Sequence, residues 1–143
     1  MTEIWCVEDD ERIREIEMYT LETINFTVRG FDDGQSFFKA RDNSRPDLVI
    51  LDLMLPDEDG SEILHRLRST SATEDLPVIV ASAKTAEYDK VKNLDSGADD
   101  YLTKPFGMME MVSRGKAVLR RTNRKKEDKL QKDGIKMLLK RHE

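Results

Sequence analysis

A chain of 143 residues with 38% hydrophobic and 37% charged residues suffices for one domain with its own core plus an extension, without disulfides or a structural metal. Its net charge of −5 is unevenly spread: residues 120–143 carry ten Lys/Arg against four Asp/Glu (+6), leaving residues 1–119 at −11. The acidic body excludes nucleic-acid binding through phosphate contacts of its own, the single Cys6 excludes a disulfide framework within the chain and suits a reducing cytoplasm, and no apolar run or leader pattern points to membrane insertion or export.

In chain order, Ile4-Trp5-Cys6-Val7 predicts a buried strand, with Cys6 a small core residue rather than a nucleophile. Glu8-Asp9-Asp10-Glu11 leads into a helix whose N-terminal dipole favours acidic residues, with Ile13, Ile16, Thr20 and Ile24 predicted to share its inner face. Phe26-Thr27-Val28 opens a second strand ending near Gly30-Phe31, and Asp32 or Asp33 caps a helix carrying Phe37, Phe38 and Ala40. Leu48-Val49-Ile50-Leu51 is a continuous apolar run, the pattern of a strand covered on both faces, and it runs straight into Asp52. A loop containing Pro56 and Gly60 follows, then a helix with Ile63, Leu64 and Leu67. Pro77–Ala81 predicts a fourth strand ending at Ser82, and a helix around Glu87–Asp95 stops at Gly97 in a left-handed position. Asp100-Tyr101-Leu102 is a short fifth strand leading to Lys104-Pro105-Phe106. In the fifth helix, Met108, Met111, Val112, Gly115 and Leu119 face the sheet, with Glu110, Arg114, Ala117 and Arg121 opposite. Five strands alternating with five helices predict an α/β domain with a parallel sheet covered on both faces by right-handed crossovers.

In such a sheet, chemistry collects beyond the carboxyl ends of the strands. The first strand delivers Glu8 and Asp9 there, the third Asp52, the fourth Ser82 and the fifth Lys104. Three carboxylates in one pocket repel each other unless a cation joins them, and hard divalent ions such as Mg²⁺ favour oxygen donors. A hydroxyl and an ammonium complete what phosphoryl transfer requires: cations to neutralise the moving oxygens and a carboxylate to accept the group.

The motifs Val7-Glu8-Asp9-Asp10, Ile50-Leu51-Asp52-Leu53-Met54-Leu55-Pro56, Ser82-Ala83-Lys84 and Lys104-Pro105-Phe106 fall in the right order over residues 3–121. Together they resemble the receiver domain of a bacterial two-component response regulator. The resemblance implies a flavodoxin-like (βα)5 doubly wound fold with strand order 2-1-3-4-5. It further implies Asp52 as acceptor of a phosphoryl group from a sensor histidine kinase, and Mg²⁺ held by Asp9 and Asp52, by Glu8 through water and by the carbonyl of Met54. Ser82 and Lys104 would bind phosphoryl oxygens, a cis Lys104–Pro105 bond would place the lysine, and Ser82 and Tyr101 would form the switch. Such a domain is a signalling module that assists its own phosphorylation and dephosphorylation rather than a turnover enzyme.

Asp99–Phe106 and Leu119-Arg120-Arg121 resemble the OmpR/PhoB subgroup more narrowly. That implies a homodimer through the fourth helix, fifth strand and fifth helix, with Lys90, Asp99 and Asp100 facing Glu110, Arg114 and Arg121. It also implies that residues 1–121 form the receiver, 122–133 a linker and 134–143 the opening strand of a winged-helix domain whose DNA-recognition helix is not in the sequence. From the residues alone, Gly134–Leu139 reads equally as the frayed end of an amphipathic helix. A dehalogenase-type phosphohydrolase would need an aspartate where Met54 stands, and a nucleotide-binding module a glycine-rich loop after the first strand. A phosphorylation-independent receiver acting as an interaction module is the remaining alternative. His65 and His142 lack partners at ligand spacing and read as surface residues.

Overall fold

The apolar runs become the strands of one parallel sheet, β1 (Glu3–Val7), β2 (Thr27–Phe31), β3 (Leu48–Asp52), β4 (Val78–Ser82) and β5 (Asp100–Thr103), in the order β2-β1-β3-β4-β5. This is a computed structural model, and it describes residues 2–83, 91–92 and 94–141, with side chains to residue 131 except 126 and 129. The expected fold and strand order are therefore both found.

Within each apolar run the pleat sends alternate residues to opposite faces. Trp5, Val7, Val49, Leu51, Val78 and Val80 join one core, where Phe37 from α2 (Gly34–Arg41) and Ile63, Leu64 and Leu67 from α3 (Gly60–Ser69) cover them. Ile4, Cys6, Leu48, Ile50, Ile79 and Ala81 join the other, beneath Leu21 of α1 (Glu11–Thr23) and Met111 and Val118 of the C-terminal helix (Met108–Arg141). Covering both faces explains why the strands read as unbroken apolar runs rather than alternating ones.

Local signals account for the helix starts. The Asp10 carboxylate accepts from the backbone N–H groups of Arg12 and Ile13, Asp33 does the same for Ser36, and Asp59 for Ser61. Of the two candidates for capping α2, Asp33 is the one used. Gly97 has φ +108°, the left-handed conformation expected there, and donates its N–H to the carbonyl of Leu94. Most of the helix predicted before it, including Lys90, lies outside the described residues, as do Lys84 and His142.

Two expectations need correcting. On α1 the inward residues are Glu17 and Leu21, whereas Ile16 is 52% exposed. The helix is rolled so that a glutamate occupies the place assigned to the isoleucine. Secondly, the backbone over 134–141 is helical and continuous with the helix that begins at Met108, so the strand reading of Gly134–Leu139 gives way to the helical one that the residues equally allowed. A strand needs a neighbour to satisfy its N–H and C=O groups, whereas a helix satisfies them internally.

The loop after β3 is fixed by close backbone approach. A Cβ at Gly60 would lie 2.5 Å from Leu53 Cα and 2.6 Å from the Asp52 carbonyl oxygen, both rigid backbone atoms. Gly60 also donates its N–H to the Leu53 carbonyl at 3.0 Å. Gly60→Ala is therefore expected to lower stability by about 2 kcal/mol or more, the cost of overpacking against atoms that cannot rotate away. Urea unfolding of the purified variant checks this; an unchanged midpoint would mean that the loop yields freely.

Candidate functional site

Because all five strands are parallel, their carboxyl ends share one edge, and the register sets the height of each side chain there. Val7 pairs with Leu51, Asp52 with Ala81, and Ser82 with Thr103. Glu8 and Asp52 thus emerge side by side from adjacent strands. Ser82 is one strand over, and Lys104 reaches in from beyond β5.

The carboxylates of Glu8, Asp9 and Asp52 each offer an oxygen within 4.8 Å of the others. Lys104 Nζ lies 2.8 and 2.9 Å from the two oxygens of Glu8 and 3.3 Å from Asp52 Oδ2. Glu8 and Asp52 are buried, Asp52 to 2% exposure, while Asp9 stands at the open rim. The backbone N–H of Met54 donates to Asp52 Oδ1 at 3.1 Å, and Ser82 is fully buried at the end of β4. The Lys104–Pro105 peptide is cis. The five residues gathered from four strands by sequence reasoning are therefore neighbours.

The electrostatics follow from one cation facing several carboxylates. Burial, and then the Asp52 carboxylate beside it, push the Glu8 carboxyl up to about 8, although Lys104 pulls the other way. Asp9 is raised in the same sense by its partial desolvation and by Asp52. Burial alone would lower Lys104, but the hydrogen bonds it donates to Glu8 and the charges of Asp52 and Glu8 outweigh it and hold the ammonium above its ordinary range. Carboxyls raised in this way even beside a lysine mark a pocket with more negative charge than one ammonium can neutralise. Its donors are hard oxygens at converging positions, which fits Mg²⁺ or a similar divalent ion.

The loop that continues from Asp52 is clamped at its far end. Asp57 accepts the N–H groups of Gly34 and Gln35, both at 3.0 Å, across the N-terminus of α2. Glu58 pairs with Arg66, whose guanidinium lies 3.8 Å from the centre of the Phe38 ring. Arg14 donates to the Glu8 carbonyl at 2.7 Å, fixing the turn after β1.

Tyr101 is 7% exposed and packs in the core shared with α2 and α3. Of the charges expected to meet a second copy, Asp100 is bridged to Arg114 at 3.1 Å and Arg114 to Glu110 at 3.2 Å within one chain. Asp99 holds Arg68 at 3.2 Å and accepts the Val78 N–H at 2.8 Å. Arg121 is exposed, and Lys90 lies outside the described residues.

One residue near the site escaped sequence reasoning. Glu17 is 2% exposed, and its Oε1 has no hydrogen-bond partner among the described residues. Burial pushes its carboxyl up to about 7, Asp52 adding to the rise and Lys104 opposing it. Its spacing four residues from both Ile13 and Leu21 carried the signal, since those three positions share a helical face.

Residues 4–116 match the family described as the response regulator receiver domain. The chain is 42% identical over 124 residues to the DNA-binding dual master transcriptional regulator RpaA of Synechocystis sp., covering 87% of this chain and 52% of that protein. It is 42% identical over 118 residues to the phosphate regulon transcriptional regulatory protein PhoB of Escherichia coli, covering 82% and 52%. The chain thus spans about half the length of these curated relatives. Among solved structures, the receiver domain of the Francisella response regulator 1452 superposes with TM-score 0.80 at 30% identity, over 85% of this chain and 99% of that one. DrrB, a Thermotoga maritima OmpR/PhoB homologue, superposes with TM-score 0.76 at 32% identity, over 85% and 54%.

The raised carboxyls fix the sign of the pH response without metal. Glu8 at about 8 and Glu17 at about 7 both lie above the ordinary 4.5, so the folded state holds protons that the unfolded chain releases. Their contribution to stability is intact below about pH 4.5 and is lost as pH rises through 7 and 8, Glu17 accounting for at most roughly 3 kcal/mol. Metal-free protein unfolded in urea across this range is expected to be more stable near pH 6 than near pH 9. The opposite slope would contradict the burial of these groups.

Proposed function

Since the chain belongs to the response regulator receiver domain family, in its OmpR/PhoB-type branch, we propose that Asp52 is the residue that accepts a phosphoryl group from the phosphohistidine of a sensor histidine kinase. The observation that carries this reading is the convergence of Glu8, Asp9 and Asp52 within 4.8 Å, with Lys104 Nζ at 3.3 Å from Asp52. An Asp52 oxygen attacks phosphorus, the phosphorus–nitrogen bond breaks, and its electron pair stays with the departing imidazole. Lys104 meets the charge on the phosphoryl oxygens and the Ser82 hydroxyl donates a hydrogen bond to one of them. Asp9, Asp52, the Met54 carbonyl and, through water, Glu8 would hold Mg²⁺, which when bound supplies neutralising charge to the same oxygens. The filled set of positions speaks against a phosphorylation-independent interaction module.

In this reading the acyl phosphate adds charge and acceptor oxygens at the buried end of β3. Ser82 is drawn toward them, and the space it leaves governs the packing of Tyr101 in the neighbouring core, a local charge biasing a bistable arrangement. The output is a homodimer through the face built by the fourth predicted helix, β5 and the C-terminal helix, where Asp99 and Asp100 of one copy face Glu110, Arg114 and Arg121 of the other; Lys90, expected to join the aspartates, lies outside the described residues. Control of transcription, named in the descriptions of RpaA and PhoB, belongs to the longer protein, with DNA bound outside the receiver. A cytoplasmic location fits this partnership, and among the described residues no helix is long and apolar enough to cross a membrane.

Intact-mass measurement after incubation with acetyl phosphate tests the acceptor. The expected result is a single retained phosphoryl group that depends on Mg²⁺ and is absent from Asp52→Asn; undiminished incorporation in that variant would overturn the assignment. For the dimer, Arg114→Glu is expected to leave phosphorylation intact while weakening association of the phosphorylated protein by roughly tenfold or more, since like charges then face each other. Sedimentation of the phosphorylated proteins reads this directly, and equal association would remove Arg114 from the interface.

A further inference from the structure

Glu17 has no part in the transfer described above, yet it occupies a position that α1 would normally give to an apolar side chain. It lies one turn from Ile13 and one from Leu21, turned to the sheet, at 2% exposure and with Oε1 unpartnered among the described residues. A carboxyl buried without a hydrogen-bond partner is costly, so the groups around it matter.

Those groups belong mainly to the acidic edge. From β3 Asp52 repels its negative form, and from the turn after β5 Lys104 attracts it. From β1 the buried thiol of Cys6 feels the same charge. On its own helix, the Arg14 guanidinium is engaged by the Glu8 carbonyl. The C-terminal helix contributes apolar Met111 and Val118 to this core. Among the described residues Glu17 Oε1 has no hydrogen-bond partner, so the connection to the rim is through charge.

We propose that Glu17 is a proton-storing carboxyl coupled to the acidic rim: it holds its proton while Lys104 is the rim's sole cation, and releases it when a divalent cation enters among Glu8, Asp9 and Asp52. The inference rests on reading that rim as a cation site. Two features beyond burial support it. Lys104 lines one cleft with Ile13 and Ile16 of α1, the residues one turn before and directly before Glu17, so the rim's cation borders the same helix and a change in the rim's charge reaches the carboxyl. Its midpoint of about 7 leaves it partly protonated near neutrality, where added positive charge shifts the largest number of protons. Linkage is reciprocal: if a dication favours the ionised carboxylate, the ionised carboxylate strengthens dication binding by the same factor. The proton leaves to the buffer and no bond other than O–H is broken.

The test uses the whole chain and Mg²⁺ alone as probe. The carbon-13 carboxyl resonance of Glu17 is followed against pH in wild-type protein without Mg²⁺ and with saturating Mg²⁺. A midpoint near 7 that moves clearly lower with Mg²⁺ is expected. Calorimetric titration with MgCl₂ in buffers of different ionisation enthalpy then counts protons released by wild type, Glu17→Gln and Glu17→Leu. Both variants should release fewer, and their gain in Mg²⁺ affinity between about pH 6 and pH 8 should fall short of the wild-type gain by about fivefold or more. Mg²⁺ binding with an unmoved Glu17 resonance and parallel affinity profiles overturns the coupling and leaves the cation site standing. Absence of Mg²⁺ binding from all three proteins overturns both. Where a variant fails to fold, the wild-type resonance alone decides.

Discussion

The contact on which the rest depends is Lys104 held between Glu8 and Asp52, at 2.8 and 3.3 Å. It joins residues 96 positions apart in sequence and closes an arc from the first strand to the turn beyond the last. Adjacent strands lie about 4.8 Å apart, so β5 stands roughly 10 Å from β3, and only a long side chain can span the intervening strand. A lysine does so with its stem packed against apolar neighbours and its ammonium at the carboxylates. Removing Lys104 would leave two buried carboxylates facing each other, the arrangement that low-dielectric surroundings penalise most. Strand order matters for the same reason. With β1 and β3 adjacent, Glu8 and Asp52 become neighbours, and an order separating them would disperse the charge.

The packing beneath keeps this edge from relaxing. Trp5, Phe31 and Phe37 meet with ring centres 5.1 to 6.1 Å apart, fixing β1, β2 and α2 as one block. Asp57 fastens the loop after Asp52 to the N-terminus of that same α2, where exposed N–H groups favour a carboxylate. Gly60 lets the start of α3 approach the backbone of Asp52 and Leu53 directly. Excess negative charge would otherwise drive the loop outward. Apolar packing and a capped helix hold it in place until a cation compensates the charge.

How much of this could be read from the chain depends on which force decides each element. The strands were legible because burial on both faces writes an unbroken apolar run, and the site was legible because parallel strands deliver their final residues to one edge. The start of α2 was marked by a capping aspartate and that of α1 by an acidic run, both local signals. The inner face of α1 was misread because hydrophobic periodicity takes Ile16 as a core residue and Glu17 as a surface one. Packing against the sheet instead buries the glutamate, and burial is tolerated because it pushes the carboxyl up to about 7, toward its neutral form. The end of the chain stayed open between two readings: Ile135–Leu139 has strand-like composition, but composition cannot supply a partner strand, and the backbone is helical there. The side-chain pairing around Arg114 was not legible at all, since it depends on helix rotation relative to β5.

That pairing constrains what the face can do. Asp99 is engaged by Arg68 and by the Val78 N–H, where β4 begins, so its carboxylate stabilises the fold before it meets any partner. Asp100 and Glu110 already share the Arg114 guanidinium within one chain. A second copy binding here must exchange intrachain bridges for interchain ones of similar geometry. Exposed bridges contribute little each, so such an exchange has a net free energy close to zero. A face of that kind specifies register without enforcing association. In the dimer proposed above, a modest bias from the buried end of β3, carried through the core that holds Tyr101, would suffice to tip the balance, whereas a strongly apolar face would associate whatever the state of Asp52.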